Sequence, residues 1–212
     1  MPPSRLPRAR RRDYLLDAAA QLIVSGGVEA VSMDAVADRA GVSRPLVYKH
    51  FANRTDMLVD LYRREARLLY IELSEVVRAA HTLEDMYRSL VRAALQASNQ
   101  RGALFAALRS AGAWNRELRY EHRARDRQTV QFFAEHASAE FGIPPAEAQA
   151  ATMMLLTAIE SVLTQWRTSR TPANAELLEE TYVDLIVGGL DRIAARTAAT
   201  QTSRVVGGPG RR

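Results

Sequence analysis

Between Arg44 and His50 the chain reads R-P-L-V-Y-K-H, an arginine, a tyrosine, a lysine and a histidine interleaved with three residues suited to packing. These side chains have the chemistry to read and hold DNA. A guanidinium at Arg44 can donate two parallel hydrogen bonds to the O6 and N7 of a guanine, and Pro45 can lie against a thymine methyl. Tyr48, Lys49, His50 and Arg54 suit phosphates, as do the hydroxyls of Ser32 and Ser43, and such contacts fix register without reading sequence. The plainer alternative is a solvated helix face carrying the same polar residues.

Positioning such a face takes two short helices and a tight turn. Ser32 is a helix N-cap, Asp34 favours the first turn, and Val36, Ala37 and Ala40 share one apolar face. Gly41 ends that helix because glycine adopts the left-handed conformation at no steric cost. Val42 plugs the gap, Ser43 caps the next helix, and Pro45 sits in a first turn that needs no N–H from it. Leu46, Val47 and Phe51 remain to hold the second helix down, which leaves Arg44, Tyr48, Lys49 and His50 to look outward. The pattern predicts a helix-turn-helix whose second helix enters a major groove.

With those residues in place, the first sixty or so positions resemble the tetracycline-repressor (TetR) family. The resemblance is carried by Ser32 opening the second helix, by Ala40-Gly-Val-Ser43, by Tyr48 and His50, and by Phe51-Ala-Asn-Arg54-Thr-Asp-Met-Leu58. Arg54 stands where the family usually has lysine and keeps the charge; Thr55 stands where an acid is common. The resemblance implies an N-terminal DNA-binding domain followed by a divergent helical effector domain. The remaining two-thirds of the chain shows no motif.

Charge supports a nucleic-acid partner by its placement. The net charge is +5, yet residues 1–12 alone carry five arginines and no acid, residues 197–212 add three more, and the stretch between is at −3. A basic arm beside a helix-turn-helix can follow phosphates or reach a minor groove, adding salt-dependent affinity; Pro2, Pro3 and Pro7 equally suit a disordered solubilising tail. Cysteine is absent, so disulfides and zinc-thiolate sites are excluded. After Arg11-Arg12 the apolar run is interrupted by Asp17 and Gln21, which argues against an export signal, and no stretch is long and apolar enough to span a bilayer. A cytoplasmic location without membrane contact is expected.

Apolar spacing along the chain predicts an all-α protein of about nine helices. Helix one carries Tyr14 to Ile23 and stops at Ser25-Gly26-Gly27; a fourth helix runs from about Asn53 towards His81; Thr82 caps a fifth; Gly102 and Gly112 bracket a short sixth. Longer helices follow over about 115–141, 146–167 and 175–196. The expected domains are a basic disordered arm (1–9), a helix-turn-helix domain (10–70), a ligand-binding and dimerisation domain (71–196) and a disordered basic tail (197–212).

The last two helices are candidates for a four-helix seam between two copies, with Leu155, Ile159, Val162, Leu185, Gly189 and Ile193 at the interface; one thick monomer core is the alternative. Walls for a small-molecule pocket would come from Tyr62, Tyr87, Phe105, Trp114, Phe133, Met153 and Trp166, with Asn115, Glu117, Arg123, Thr157 or Glu160 as polar anchors. Residues of these types are more often plain core. Glu160 interrupts an apolar helix, so its carboxylate needs an arginine, a ligand or solvent.

His50, His81, His122 and His136 have no metal-ligand spacing, and no nucleophile elbow or phosphate-binding glycine loop is present. Neither an enzyme nor a bound cofactor is expected. The reading is a homodimeric regulator, most simply a repressor, that binds a palindromic double-stranded operator and is released by a small apolar or amphipathic effector. Its rivals are a DNA-binding protein without a ligand, architectural or controlled by a protein partner, and a helical enzyme or acyl-binding protein.

Overall fold

A computed structural model describes residues 7–111 and 116–206, and every regular element among them is helical. The α-helices are α1 (Arg8–Gly26), α2 (Met33–Ala40), α3 (Arg44–Tyr48), α4 (Arg54–Arg78), α5 (Leu83–Ser110), α6 (Arg116–Phe141), α7 (Pro145–Thr168) and α8 (Pro172–Val206), with a 3-10 turn at Val28–Ala30. No helix is long and apolar enough to cross a membrane among the described residues.

Two compact units are present. Among the described residues, those up to 71 and those within 97–122 make one, and those within 72–96 and from 123 onward make the other. The first is built around Leu15, Ala19 and Leu22 of α1, Val36 and Ala40 of α2, Val47 of α3, Met57, Leu58 and Leu61 of α4, and Leu104 and Leu108 of α5. On α1 and α4 these residues recur three and four apart, so one stripe of each helix is removed from water. The second core gathers Tyr87 and Val91 of α5, Phe133 and Ala137 of α6, Val162 and Trp166 of α7, and Tyr182, Ile186 and Leu190 of α8.

Local chemistry accounts for the helix ends. The Ser32 hydroxyl accepts the Ala35 N–H at 3.0 Å, and the Asn53 side chain accepts the Asp56 N–H at 2.9 Å while donating back to the Asp56 carboxylate. Thr82 and Asp85 repeat that reciprocal arrangement at the start of α5. At the end of α2, Gly41 takes φ 62° and ψ 38°. Its N–H reaches the Asp38 carbonyl, and the next N–H, of Val42, reaches the Ala37 carbonyl at 3.0 Å. That is a Schellman closure, and it needs a left-handed residue at this position.

Three expectations are corrected. The helix starts at Arg8, inside the stretch expected to be an arm, so Arg8, Arg10, Arg11 and Arg12 belong to α1. The start escapes sequence signals because Pro7 stands at the N-cap with no capping side chain. The short sixth helix does not exist on its own: α5 runs through Gly102 without a break. One glycine costs a helix about 1 kcal/mol, and burial of Leu104 and Leu108 just beyond it outweighs that. The C-terminal helix likewise continues past 196 to Val206, since the Ala- and Thr-rich run after Arg196 holds no breaker before Gly207.

Candidate nucleic-acid interface

The turn ending in Gly41 and Val42 delivers the chain into α3, a helix of five residues whose one fully buried side chain is Val47. Fixed there by Val47 and followed by the buried ring of Phe51, α3 shows solvent Arg44, Pro45, Tyr48 and Lys49. Arg44 does not hang loose. Its Nε lies 2.7 Å from Asp34 Oδ1 on α2, and its guanidinium sits 5.6 Å from the centre of the Tyr48 ring, with the Tyr48 hydroxyl at 3.5 Å. The Tyr48 hydroxyl first and the Asp34 carboxylate second hold it above the ordinary arginine pKa. The result is a flat donor group held on both sides before any partner arrives, which lowers the cost of ordering it on binding.

Ser43 is the N-cap of α3 by backbone, yet its hydroxyl makes no capping bond. Pro45 removes the first donor such a hydroxyl would meet, and the Leu46 N–H goes to the Ser43 carbonyl at 2.9 Å instead. Ser43 is exposed. Its hydroxyl therefore remains available to an outside acceptor, and that of Ser32, which accepts the Ala35 N–H as the cap of α2, keeps its own proton to donate.

Two residues expected to face a partner are turned to other work. His50 is buried at 9 % exposure, with no hydrogen-bond partner for Nε2 among the described residues. It cannot look outward because Phe51, its neighbour, must enter the core, and because α3 ends at Tyr48 so that helical spacing no longer sets its direction. Arg54 donates through Nε to the Val31 carbonyl and through a terminal nitrogen to the Val28 carbonyl, each at 2.7 Å. The guanidinium fork thus ties the first turn of α4 to the 3-10 turn preceding α2.

The role of Arg12 was missed by sequence reasoning, which placed it in a basic arm that either follows phosphates or forms a solubilising tail. It donates to the His50 carbonyl at 2.7 Å, lies over the Phe51 ring at 4.5 Å and pairs with Asp60. Its partners are 38 or more residues away, so no local pattern announces it.

Burial first, then the positive charges of Arg11, Arg12, Arg8 and Lys49, holds the His50 imidazole below its ordinary value. The unfolded chain therefore takes up a proton at this site at a higher pH than the folded one. Folding is favoured by this residue above pH 6.5 and loses that support as pH falls through 6.5 to the lowered folded value. Urea unfolding between pH 7.5 and 5 should show a falling midpoint, and His50→Gln should flatten that part of the profile; an unchanged slope in the variant would remove His50 as its cause.

The residues expected to wall a ligand site fall in two cores. Tyr62 and Phe105 meet edge to face, centroids 5.6 Å apart, inside the first core. Tyr87, Phe133 and Trp166 belong to the second, where Tyr87 and Phe133 are 4.6 Å apart. Met153 and Glu160 are exposed on α7, so the Glu160 carboxylate is in solvent and needs no buried counter-charge. Thr157 donates back to the Met153 carbonyl, and Arg123 is exposed. Trp114, Asn115 and the side chain of Glu117 lie outside the described residues.

Of the residues expected between two copies, Val162 packs within the second core, Leu155, Ile159 and Ile193 are half-buried, and Leu185 and Gly189 are exposed. Exposed Met153, Met154 and Leu177 share α7 and α8 with them.

Comparison with known proteins agrees with this geometry. Residues 15–61 match the family model described as bacterial regulatory proteins, tetR family. The transcriptional activator FasR of Mycolicibacterium smegmatis is 40% identical over 94 residues, which cover 44% of this chain and 41% of that protein. Among solved structures, a transcriptional regulator from Rhodococcus sp. RHA1 superposes with a TM-score of 0.67 at 22% identity, covering 85% of this chain and 97% of the other. FadR from Bacillus subtilis, solved in complex with stearoyl-CoA, gives 0.61 at 18% identity, covering 84% and 98%. A capped α2, a glycine closure and a short exposed α3 fall inside residues 15–61, the region that matches the TetR family of bacterial regulatory proteins, and beyond it the all-helical fold is what the chain shares with the solved structures, while it spans less than half the length of FasR.

Proposed function

We propose that this protein is a homodimeric transcriptional repressor that binds a palindromic operator through α3 and leaves it when a small apolar or amphipathic effector binds the second unit. The observation carrying the DNA half is Arg44, exposed and pre-oriented by Asp34 and Tyr48 at the start of a helix anchored by Val47. In this reading Arg44 donates to a guanine edge, Pro45 meets a neighbouring methyl, and Tyr48, Lys49, Ser43 and Ser32 meet phosphates. His50 and Arg54 serve the interface from behind, by holding α3 and α2 in place. In this reading the protein works in the cytoplasm, where its DNA target lies.

Support for the dimer comes from α7 and α8. Met153, Met154, Leu177 and Leu185 are each more than half exposed there, and Gly188 and Gly189 have open space where a Cβ would stand. Apolar side chains beside residues without side chains suit close approach by a second pair of helices. Two copies would present two α3 helices to half-sites about 34–36 Å apart, or a multiple of that. For the effector, the support is the helical second unit with its aromatic core and the likeness to FadR, whose solved complex holds stearoyl-CoA. Effector and operator would weaken each other's binding by the same factor.

The test is selection of bound fragments from genomic DNA by the purified protein at two salt concentrations. An inverted repeat recovered at both is the expected result. Fragments without a shared motif, fading as salt rises, would overturn sequence-specific binding and leave only charge attraction. Similarity to the activator FasR favours a second reading for the sign alone: the same operator contact used to recruit transcription. Position of the recovered repeat relative to the promoter separates the two.

A further inference from the structure

The second core contains two buried hydroxyls that face each other without closing a well-formed hydrogen bond. Tyr87 and Thr152 are both at 0 % exposure, and neither Tyr87 Oη nor Thr152 Oγ1 has a hydrogen-bond partner among the described residues. They face each other closely enough for the threonine to ease ionisation of the phenol, which burial otherwise pushes far up. The neighbouring phenol shows what the fold can do when it completes such a bond: Tyr182 donates to the Leu155 carbonyl at 2.8 Å. Tyr87 stands between that ring, 6.3 Å away, and Phe133, 4.6 Å away. Two adjacent unpaired hydroxyls inside an apolar, aromatic enclosure are costly to keep, and an occupant supplying the missing acceptor removes the cost.

We propose that Tyr87 and Thr152 are the polar anchor of the effector, both donating to one neutral oxygen, such as a ketone or ester carbonyl, on an otherwise apolar molecule. This rests on the reading that the second unit binds such an effector. Neutrality follows from the surroundings. Among the described residues the buried charged side chain in this unit is Glu179, an acid already held by Arg88 and Arg92, so an incoming carboxylate meets no buried cation among them and is disfavoured. Because the hydroxyls are closed off from solvent, the ligand reaches them by displacing side chains of α7 and α5. Binding and conformational change are then one event, which is what a switch requires.

The probes are 2-undecanone and undecanoate, of matched length, titrated by calorimetry into the full chain and into Tyr87→Phe/Thr152→Val, with thermal unfolding of both proteins recorded alone. The expected result is that the ketone binds the wild-type protein more tightly than the carboxylate. Its affinity falls at least tenfold in the variant, the carboxylate changes little, and the variant unfolds at the same or a higher temperature. Equal ketone affinity in both proteins overturns the anchor and leaves effector binding standing. A variant that unfolds earlier and loses both probes alike assigns the hydroxyls a structural role and also overturns it. If the wild-type protein binds neither probe, the effector reading fails and the anchor with it.

Discussion

Replacing Arg44 and Tyr48 together with alanine should reduce operator affinity to the level the protein shows for unrelated DNA, while the fold stays intact. Both side chains are exposed on α3 and bury little, so helix content and unfolding temperature should hardly move. Arg44→Ala alone should cost about ten- to a hundredfold and relax the preference at one base pair, because a bidentate contact discriminates by about that factor. Asp34→Asn should give a smaller loss: the guanidinium keeps its charge and its Tyr48 contact but is no longer held from α2. Competition binding with single-base operator variants measures all three. If the double variant keeps its preference for the operator, α3 is not the reading element.

Arg54→Ala should act by a different route and unfold the protein earlier. Two charge-assisted hydrogen bonds of 2.7 Å would be lost, to the carbonyls of Val28 and Val31. At a net value of about 2 kcal/mol for the pair, the unfolding temperature should drop by about 4–8 °C in a chain of this size. Arg54→Lys should fall between, since an ammonium lacks the fork that serves two carbonyls at once. A phosphate contact predicts something else: little change in stability and a salt dependence of binding shallower by about one counterion. Thermal unfolding with affinities at three salt concentrations separates the two roles.

That arginine shows where sequence reasoning stops. A basic residue three positions after Phe51 is legible as part of a DNA-binding pattern, but its partners lie 23 and 26 residues away, and charge alone does not distinguish a phosphate from a carbonyl. His50 fails for a related reason. Helical spacing gives directions only while a helix lasts, and α3 ends two residues earlier. Features that depend on near neighbours were readable: the Ser32 cap, the Thr82 cap, the closure at Gly41, and the apolar stripes of α1 and α4. The ligand walls were only partly legible, because periodicity says that Tyr62 and Tyr87 are buried without saying against what. They belong to different cores.

Lys49, exposed where α3 ends, is the chain's single lysine among 29 basic residues. An amine-directed fluorophore therefore has one side-chain target in the whole molecule, and it lies on the face assigned to DNA. Labelling after the N-terminal amine has been chemically blocked, or with the two adducts separated, would turn the native protein into its own reporter, with no engineered cysteine. Protection of that amine by a DNA duplex would then trace the footprint of α3 directly.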